Sequence, residues 1–375
     1  MKRLVAATAL ILALWHIAPA IARNYYVATN GSDEHSGSET EPLRTLQKAA
    51  SVARAGDTVL VRAGVYKGHV QLRFSGAADK PIIFRNYPGE RPVLDGEGRG
   101  RIELQSEKGW QKAIGWITVE GIEVRNGWDG IKFYNAHNIV LRGNYLHGNL
   151  NQGILGNGHD VRIEGNIIAE NGFKADNQKS NKEHGIYCTG TDFTIVNNVI
   201  YSNKAYGIQV AGYPYKPENH AGPEFADARR WMISHNTIAF QQNRSGIVVW
   251  QKGATDCVIQ NNIFFKNATA LGQSDLQGID FVAAGGGHVI RHNLFFAPGR
   301  TSIGKSSAGY LASENLEQDP LFVDAERFDF HLGKDSPAID AGTNENSVAY
   351  DCEGAARPQG RGYDIGAYEQ RSVKR

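Results

Sequence analysis

One short phrase of sequence recurs six times between residues 117 and 296, and it limits what the chain can fold into. Its fixed word is an asparagine between two alternating apolar runs: Asn144, Asn166, Asn198, Asn236, Asn262 and Asn293. Five residues after most of these comes a second polar turn residue, at Asn149, Asn171, Asn203, Gln241 and Asn267. A Gly-Ile pair then opens a third run, as at Gly130-Ile131, Gly153-Ile154, Gly185-Ile186, Gly207-Ile208 and Gly246-Ile247. Successive asparagines of the first set lie 22, 32, 38, 26 and 31 residues apart, so one coil shows the bare unit and the others carry insertions.

A period of ~20–50 residues made of short strands describes a solenoid, because no coil buries its apolar face alone. Three strands per coil, each about three to five residues, predict an all-β parallel β-helix. Crossovers between parallel strands wind right-handed, so a right-handed helix is expected. Asparagine suits the corners because it tolerates left-handed backbone, and its amide can bond to the asparagine of the next coil.

Residues 1–22 pair Lys2 and Arg3 with an apolar run and end in Ala20-Ile21-Ala22. This reads as a cleaved secretory leader; the run falls short of the ~20 residues of a membrane anchor. Secreted or periplasmic localisation is therefore expected. Lys plus Arg (40) nearly cancels Asp plus Glu (39), which gives no general electrostatic case for nucleic acid or a membrane surface. Any anionic ligand must be met by local charge. Three cysteines, Cys188, Cys257 and Cys352, make an odd set in an oxidising compartment, so buried thiols are expected rather than a disulfide framework.

Residues 23–115 read as a cap and first coils, with strands at Tyr25, Thr58 and Gly64 and an amphipathic helix over 43–55 that carries Leu46, Ala49, Ala50 and Ala53 on one face. Laid across the open end, that helix would cover unpaired strand edges and the apolar core. The stretch 99–115, with Trp110, reads as a polar connection before regular coils over 116–296, and 297–375 as a closing segment.

The run Tyr25-Tyr26-Val27, Pro42-Leu43-Arg44-Thr45-Leu46-Gln47, Gly56-Asp57-Thr58-Val59 and Gly64-Val65-Tyr66 resembles the start of secreted bacterial β-helix proteins of the pectate-lyase-like superfamily. It looks most like pectate lyases of family nine and the alginate and chondroitin lyases of family six. The tail, with Asp329-Phe330-His331-Leu332, Ser336-Pro337-Ala338-Ile339-Asp340 and Asp364-Ile365-Gly366-Ala367-Tyr368-Glu369, is similar to the closing segment of many such proteins. These motifs are caps and turns, so they speak for architecture and little for substrate.

Two insertions, 173–183 and 213–228, border the Gly-Ile strands from opposite sides and would wall a groove. Strand alternation places Lys132, Leu155, Tyr187, Gln209 and Val248 in one outward row, with Tyr134, Asn157, Thr189, Ala211 and Trp250 in a second. Just before the glycines stand Asp129, Gln152, His184, Tyr206 and Ser245. Coils stack about 4.8 Å apart, close to the sugar spacing of an extended glycan.

Such a face suits β-elimination from a uronate polysaccharide, which needs a neutralised carboxylate, a base and an acid. The expected catalytic set is His184 as base or carboxylate neutraliser, Tyr187 as proton donor and Lys132, with Gln209, holding the carboxylate. Asp129, Tyr206, Tyr213, Tyr215, Trp250 and Lys252 are expected substrate contacts. The resemblance implies a second version, in which calcium is bound by clustered Asp with Lys as base; Asp129 and Lys132 are the positions onto which those roles would carry. One Asp is a thin donor set, since calcium takes ~6–8 oxygens.

Asp160, Asp192 and Asp256 recur at one coil position and read as turn residues. A hydrolase needs two carboxylates about 5–10 Å apart, and the Gly-Ile face offers Asp129. A non-catalytic glycan-binding or envelope scaffold is the competing reading from another class. No glycine-rich loop follows a strand and opens a helix, which argues against a nucleotide enzyme. The expected partner is an acidic polysaccharide, and the chain a monomer.

Overall fold

The computed structural model describes residues 22–173, 182–270 and 276–371. The expected leader therefore lies, but for Ala22, outside the described residues, as does most of the first insertion. No helix among the described residues is long and apolar enough to cross a membrane.

The coils form three parallel lines of strands. The third line, between the two Asn corners, is a ten-stranded sheet running from Gly64–Lys67 to Leu316–Glu317. The Gly-Ile line and the line that follows it merge into one nineteen-stranded sheet. Where three short strands per coil were expected, three central coils run both lines together as Ile131–Arg142, Ile154–Glu164 and Ile186–Val196. Each bends at the same coil position through a left-handed residue, Asn138, Asp160 or Asp192, joined by Asn135 in the first strand and Gly190 in the third, and pairing resumes after the bend. The stretch 99–115 holds the strand Ile102–Leu104, which pairs with 131–133, so stacking is continuous through it.

Period-two alternation fills the interior. Ile131, Ile154, Ile186, Ile208, Ile247 and Ile279 are all fully buried and share one register across successive coils. Each such side chain contributes roughly 1.5–3 kcal/mol on burial. Cys188 and Cys257 are buried thiols, and burial pushes Cys257 up to about 12.

The Asn corners differ in one detail from expectation. Left-handed backbone belongs to the residue before the asparagine, at Gly143, Gly165, Asn197, His235, Asn261 and His292. The asparagine instead turns inward. Asn166 Nδ2 donates to the Asn198 Oδ1 at 2.9 Å and to the Leu141 carbonyl at 2.9 Å, and Asn198 repeats the pattern with Asn236 and Ile163. The ladder continues beyond the repeats read from sequence, to Asn315. A second ladder joins Asn149, Asn171, Asn203 and Gln241.

The capping helix spans Leu46–Val52, shorter than 43–55, because Thr45 caps its start by accepting from the Lys48 N–H at 3.1 Å. The closing segment does more than end the solenoid. Residues 329–371 return along the outside of the third line, burying Phe330, Leu332, Ala338, Ile365 and Ala367 against Val199, Ala239, Ile263, Phe265 and Leu294. The Ala367 N–H donates to Thr237 Oγ1 and the Gly366 N–H to the Asn261 carbonyl. A fully buried Arg357–Glu369 pair at 3.0 Å holds this strap together, and Asn197 bonds to it at the Tyr350 carbonyl.

Candidate active site

The Gly-Ile line places Lys132, Leu155, Tyr187, Gln209 and Val248 in one lateral row. The row extends to Glu103 before Lys132 and to Asp280 after Val248. Along Tyr187, Gln209, Val248 and Asp280 it forms the floor of a cleft of about 400 Å³. One wall rises from the turns that precede the strands and consists of Lys182, His184, Tyr206 and Arg244. The other stands at the strand ends and consists of Tyr213, Trp250 and Val282. Aromatic faces thus line a trough with two cations on one rim.

His184 is 3% exposed, and its Nδ1 accepts the Tyr206 backbone N–H at 3.2 Å. Burial, aided by the positive charge of Arg244, lowers its pKa to about 3. The imidazole is therefore neutral near pH 7 with its proton on Nε2. A neutral ring with Nδ1 already accepting offers the cleft an Nε2–H donor rather than a positive charge. Tyr187 shares a short hydroxyl hydrogen bond with Tyr213. Burial first, then that bond, raises the Tyr187 phenol well above its usual range, so it holds its proton and can serve as an acid. The Tyr206 hydroxyl donates to Asp280 Oδ2 at 3.2 Å, and burial and the nearby Asp280 raise the phenol. Gln209 is 1% exposed, and its Nε2 has no partner within the protein. A buried amide donor facing a cleft carries a desolvation cost that an acceptor on a ligand would remove.

The remaining expected residues lie elsewhere. Lys132 sits two coils before Tyr187 in the row, with its ammonium 4.9 Å from the Tyr134 ring centre. Tyr215 is exposed beside His220, and Lys252 is exposed outside the cleft. After Tyr213 the second insertion turns away from the groove. Phe225 packs on His159, its carbonyl accepts from Thr189 Oγ1 at 3.0 Å, and the Ala221 N–H donates to Asn135 Oδ1. Thr189 is covered by this loop, which removes it from the outward row.

Asp129 is fully buried and touches no solvent. Its Oδ1 accepts from Asn151 Nδ2 at 2.7 Å and from the Gln152 N–H at 3.2 Å, while Oδ2 faces Arg101 Nη1 at 3.6 Å. It is neither a substrate contact nor an available calcium ligand. Among the described residues no group of three or more His, Cys, Asp or Glu side chains is arranged to hold a metal ion. The donor set at Asp129 does not fit calcium, because its charge is already met by a guanidinium.

Four lining residues, Lys182, Arg244, Asp280 and Val282, were not named from the sequence. Arg244 reaches in from a corner that strand alternation does not address. Asp280 was findable: Gly278-Ile279 is a further Gly-Ile pair, and the residue after it joins the row.

Comparison with known proteins agrees with this architecture. The sequence model of the Pel9A-like, right-handed β-helix region matches residues 25–294. The uncharacterized protein YwoF of Bacillus subtilis is 29% identical over 203 residues, 50% of this chain and 43% of that protein. Pectate lyase PEL9 of Emericella nidulans is 31% identical over 151 residues, 34% of this chain and 35% of that protein. The chain thus spans less than half the length of these two relatives. The crystal structure of pectate lyase Pel9A superposes with a TM-score of 0.54 at 17% identity, over 93% of this chain and 96% of that one. With the winding, the coil corners and the family match in agreement, the chain belongs to the Pel9A-like right-handed β-helix family.

Proposed function

We propose that this chain is a polysaccharide lyase that cleaves an acidic, uronate-containing glycan by β-elimination, acting outside the cytoplasm. The observation that carries the reading is the cleft floor: an unpartnered Gln209 amide donor beside a proton-holding Tyr187, with Arg244 on the rim. The names of the pectate lyase relatives support the reaction class.

In this reading Arg244 and the Gln209 Nε2–H meet the uronate carboxylate, with the His184 Nε2–H at its edge. Neutralising that charge acidifies the neighbouring C–H. Asp280, the one carboxylate among the described lining residues, takes that proton. The freed electron pair forms the C4–C5 double bond as the C4–O bond breaks. Tyr187 gives its phenolic proton to the leaving oxygen, and the Tyr213 hydroxyl donates to the phenolate that remains. Trp250 and Tyr206 offer faces for adjacent sugar rings.

Ultraviolet absorbance of unsaturated uronates, followed over a panel of acidic glycans, tests the proposal. Unsaturated products support it. Reducing ends without unsaturation would point to hydrolysis, and binding without either would point to a scaffold. An Asp280→Asn variant that cleaves as fast as the wild type would remove Asp280 from the reaction.

A further inference from the structure

The row that floors the cleft continues past Tyr187 through Leu155 to Lys132, each residue in lateral register with the next. Lys132 therefore stands three coil steps from Gln209, roughly 14 Å at ~4.8 Å per step. Its lateral neighbour on the far side is Glu103, but the Glu103 carboxylate is taken up elsewhere, by His69 Nε2 at 3.1 Å and Arg101 Nη2 at 3.4 Å. The half-buried Lys132 is left with its ammonium 4.9 Å from the Tyr134 ring centre, and among the described residues no carboxylate forms an ion pair with it. The second insertion runs the same way, back along the strand ends from Tyr213. Its Glu218 carbonyl accepts from Gln111 Nε2 at 2.9 Å, and its Ala221 N–H donates to Asn135 Oδ1 in the strand that carries Lys132. The loop thus spans the coils that separate the cleft from this cation.

We infer that Lys132 is a distal carboxylate subsite, which takes a second uronate of the same glycan. Which side of the cleaved bond it serves rests on the lyase reading; the contact itself does not. With the reacting uronate at Gln209 and the leaving oxygen at Tyr187, a chain that advances one sugar per coil passes over Leu155 and brings the third sugar of the leaving fragment to Lys132. There the ammonium meets its carboxylate and the Tyr134 face stands beside the ring. The carboxylate that Lys132 holds is then not the one that Gln209 meets, but one three sugars away.

Size-graded oligouronates from polygalacturonate and from alginate, titrated by calorimetry and followed in parallel by the absorbance of unsaturated products, test the subsite. Wild-type affinity is expected to step up roughly fivefold once the chain exceeds about four sugars, the length that joins Gln209 to Lys132. Lys132→Gln abolishes that step, leaves the affinity for shorter chains unchanged, and raises KM on long chains while kcat stays within about twofold. Lys132→Arg, which keeps the charge, retains the step, and about 0.5 M salt erases it in the wild type. An equal loss on short and long chains, or no loss on either, would overturn the inference. So would a collapse of kcat at saturating substrate, which would place Lys132 in the reaction itself. Wild-type protein that binds long chains and makes no unsaturated product sinks the lyase reading alone, and the length step still decides Lys132. Failure to bind any of these oligouronates overturns both.

Discussion

His184 and Tyr187 meet edge-on at 5.6 Å between ring centres yet are held by different hydrogen bonds. Tyr187→Phe removes the proposed proton donor and one hydroxyl bond while leaving the ring in place. Its kcat is expected to fall roughly 100-fold or more, with Tm within ~3 °C of wild type, measured on the responsive glycan and by calorimetry. His184→Ala behaves otherwise, because it also orphans the Tyr206 N–H; a stability loss of about 1–3 kcal/mol in denaturant titration is expected. The same histidine links stability to pH. Its pKa is about 3 when folded and near 6.5 when unfolded, so the unfolded chain binds the extra proton between those values. Stability contributed by the neutral ring is complete above about pH 6.5 and declines as pH falls towards 3, at up to about 1.4 kcal/mol per pH unit. Carboxylates held low by arginines, such as Glu164 beside Arg162, add a loss of the same sign in acid. The His184 share is therefore read as the part of the slope of Tm against pH, between pH 7 and 4, that His184→Gln removes.

The Asn ladders show what a single repeated residue does for a strand line. Asn198 accepts from the Asn166 N–H and donates to Ile163, Val196 and Asn236, all within the buried corner. Replacing it by Ala leaves several backbone groups without partners, so Asn198→Ala is expected to cost about 3 kcal/mol in equilibrium unfolding. Asn315, at the open end and half-buried, should cost less. The ladder was legible because a buried, hydrogen-bonded asparagine imposes a repeat that insertions displace but do not erase. The lateral row of Tyr187 and Gln209 was legible for the same reason, since strand alternation sets which side chains point outward. Asp129, Lys132 and Arg244 were not. Whether a corner residue faces a groove depends on side-chain reach and on who pairs with it, and Arg101 lies 28 residues before its partner Asp129. The path of the second insertion was equally hidden, because it is settled by where Phe225 finds an apolar cover.

At the scale of the molecule, a scaffold of stacked coils carries a cleft on one face and the returning strap on another. The strap seals Phe265, Leu294 and Val199, which would otherwise present an apolar strip to solvent. Truncation after residue 328 is expected to leave the coils stacked, with β-rich far-ultraviolet circular dichroism. The truncated chain should bind a hydrophobic dye and melt at least several degrees lower. If the truncated chain melts like the full-length one, the strap is only an ornament. A stack of this kind otherwise loosens from its last ring, one winding at a time, as a coiled rope frays from a cut end. By knotting its tail back onto the middle windings through Asn197, Thr237 and Asn261, this chain makes that loosening begin with release of the tail.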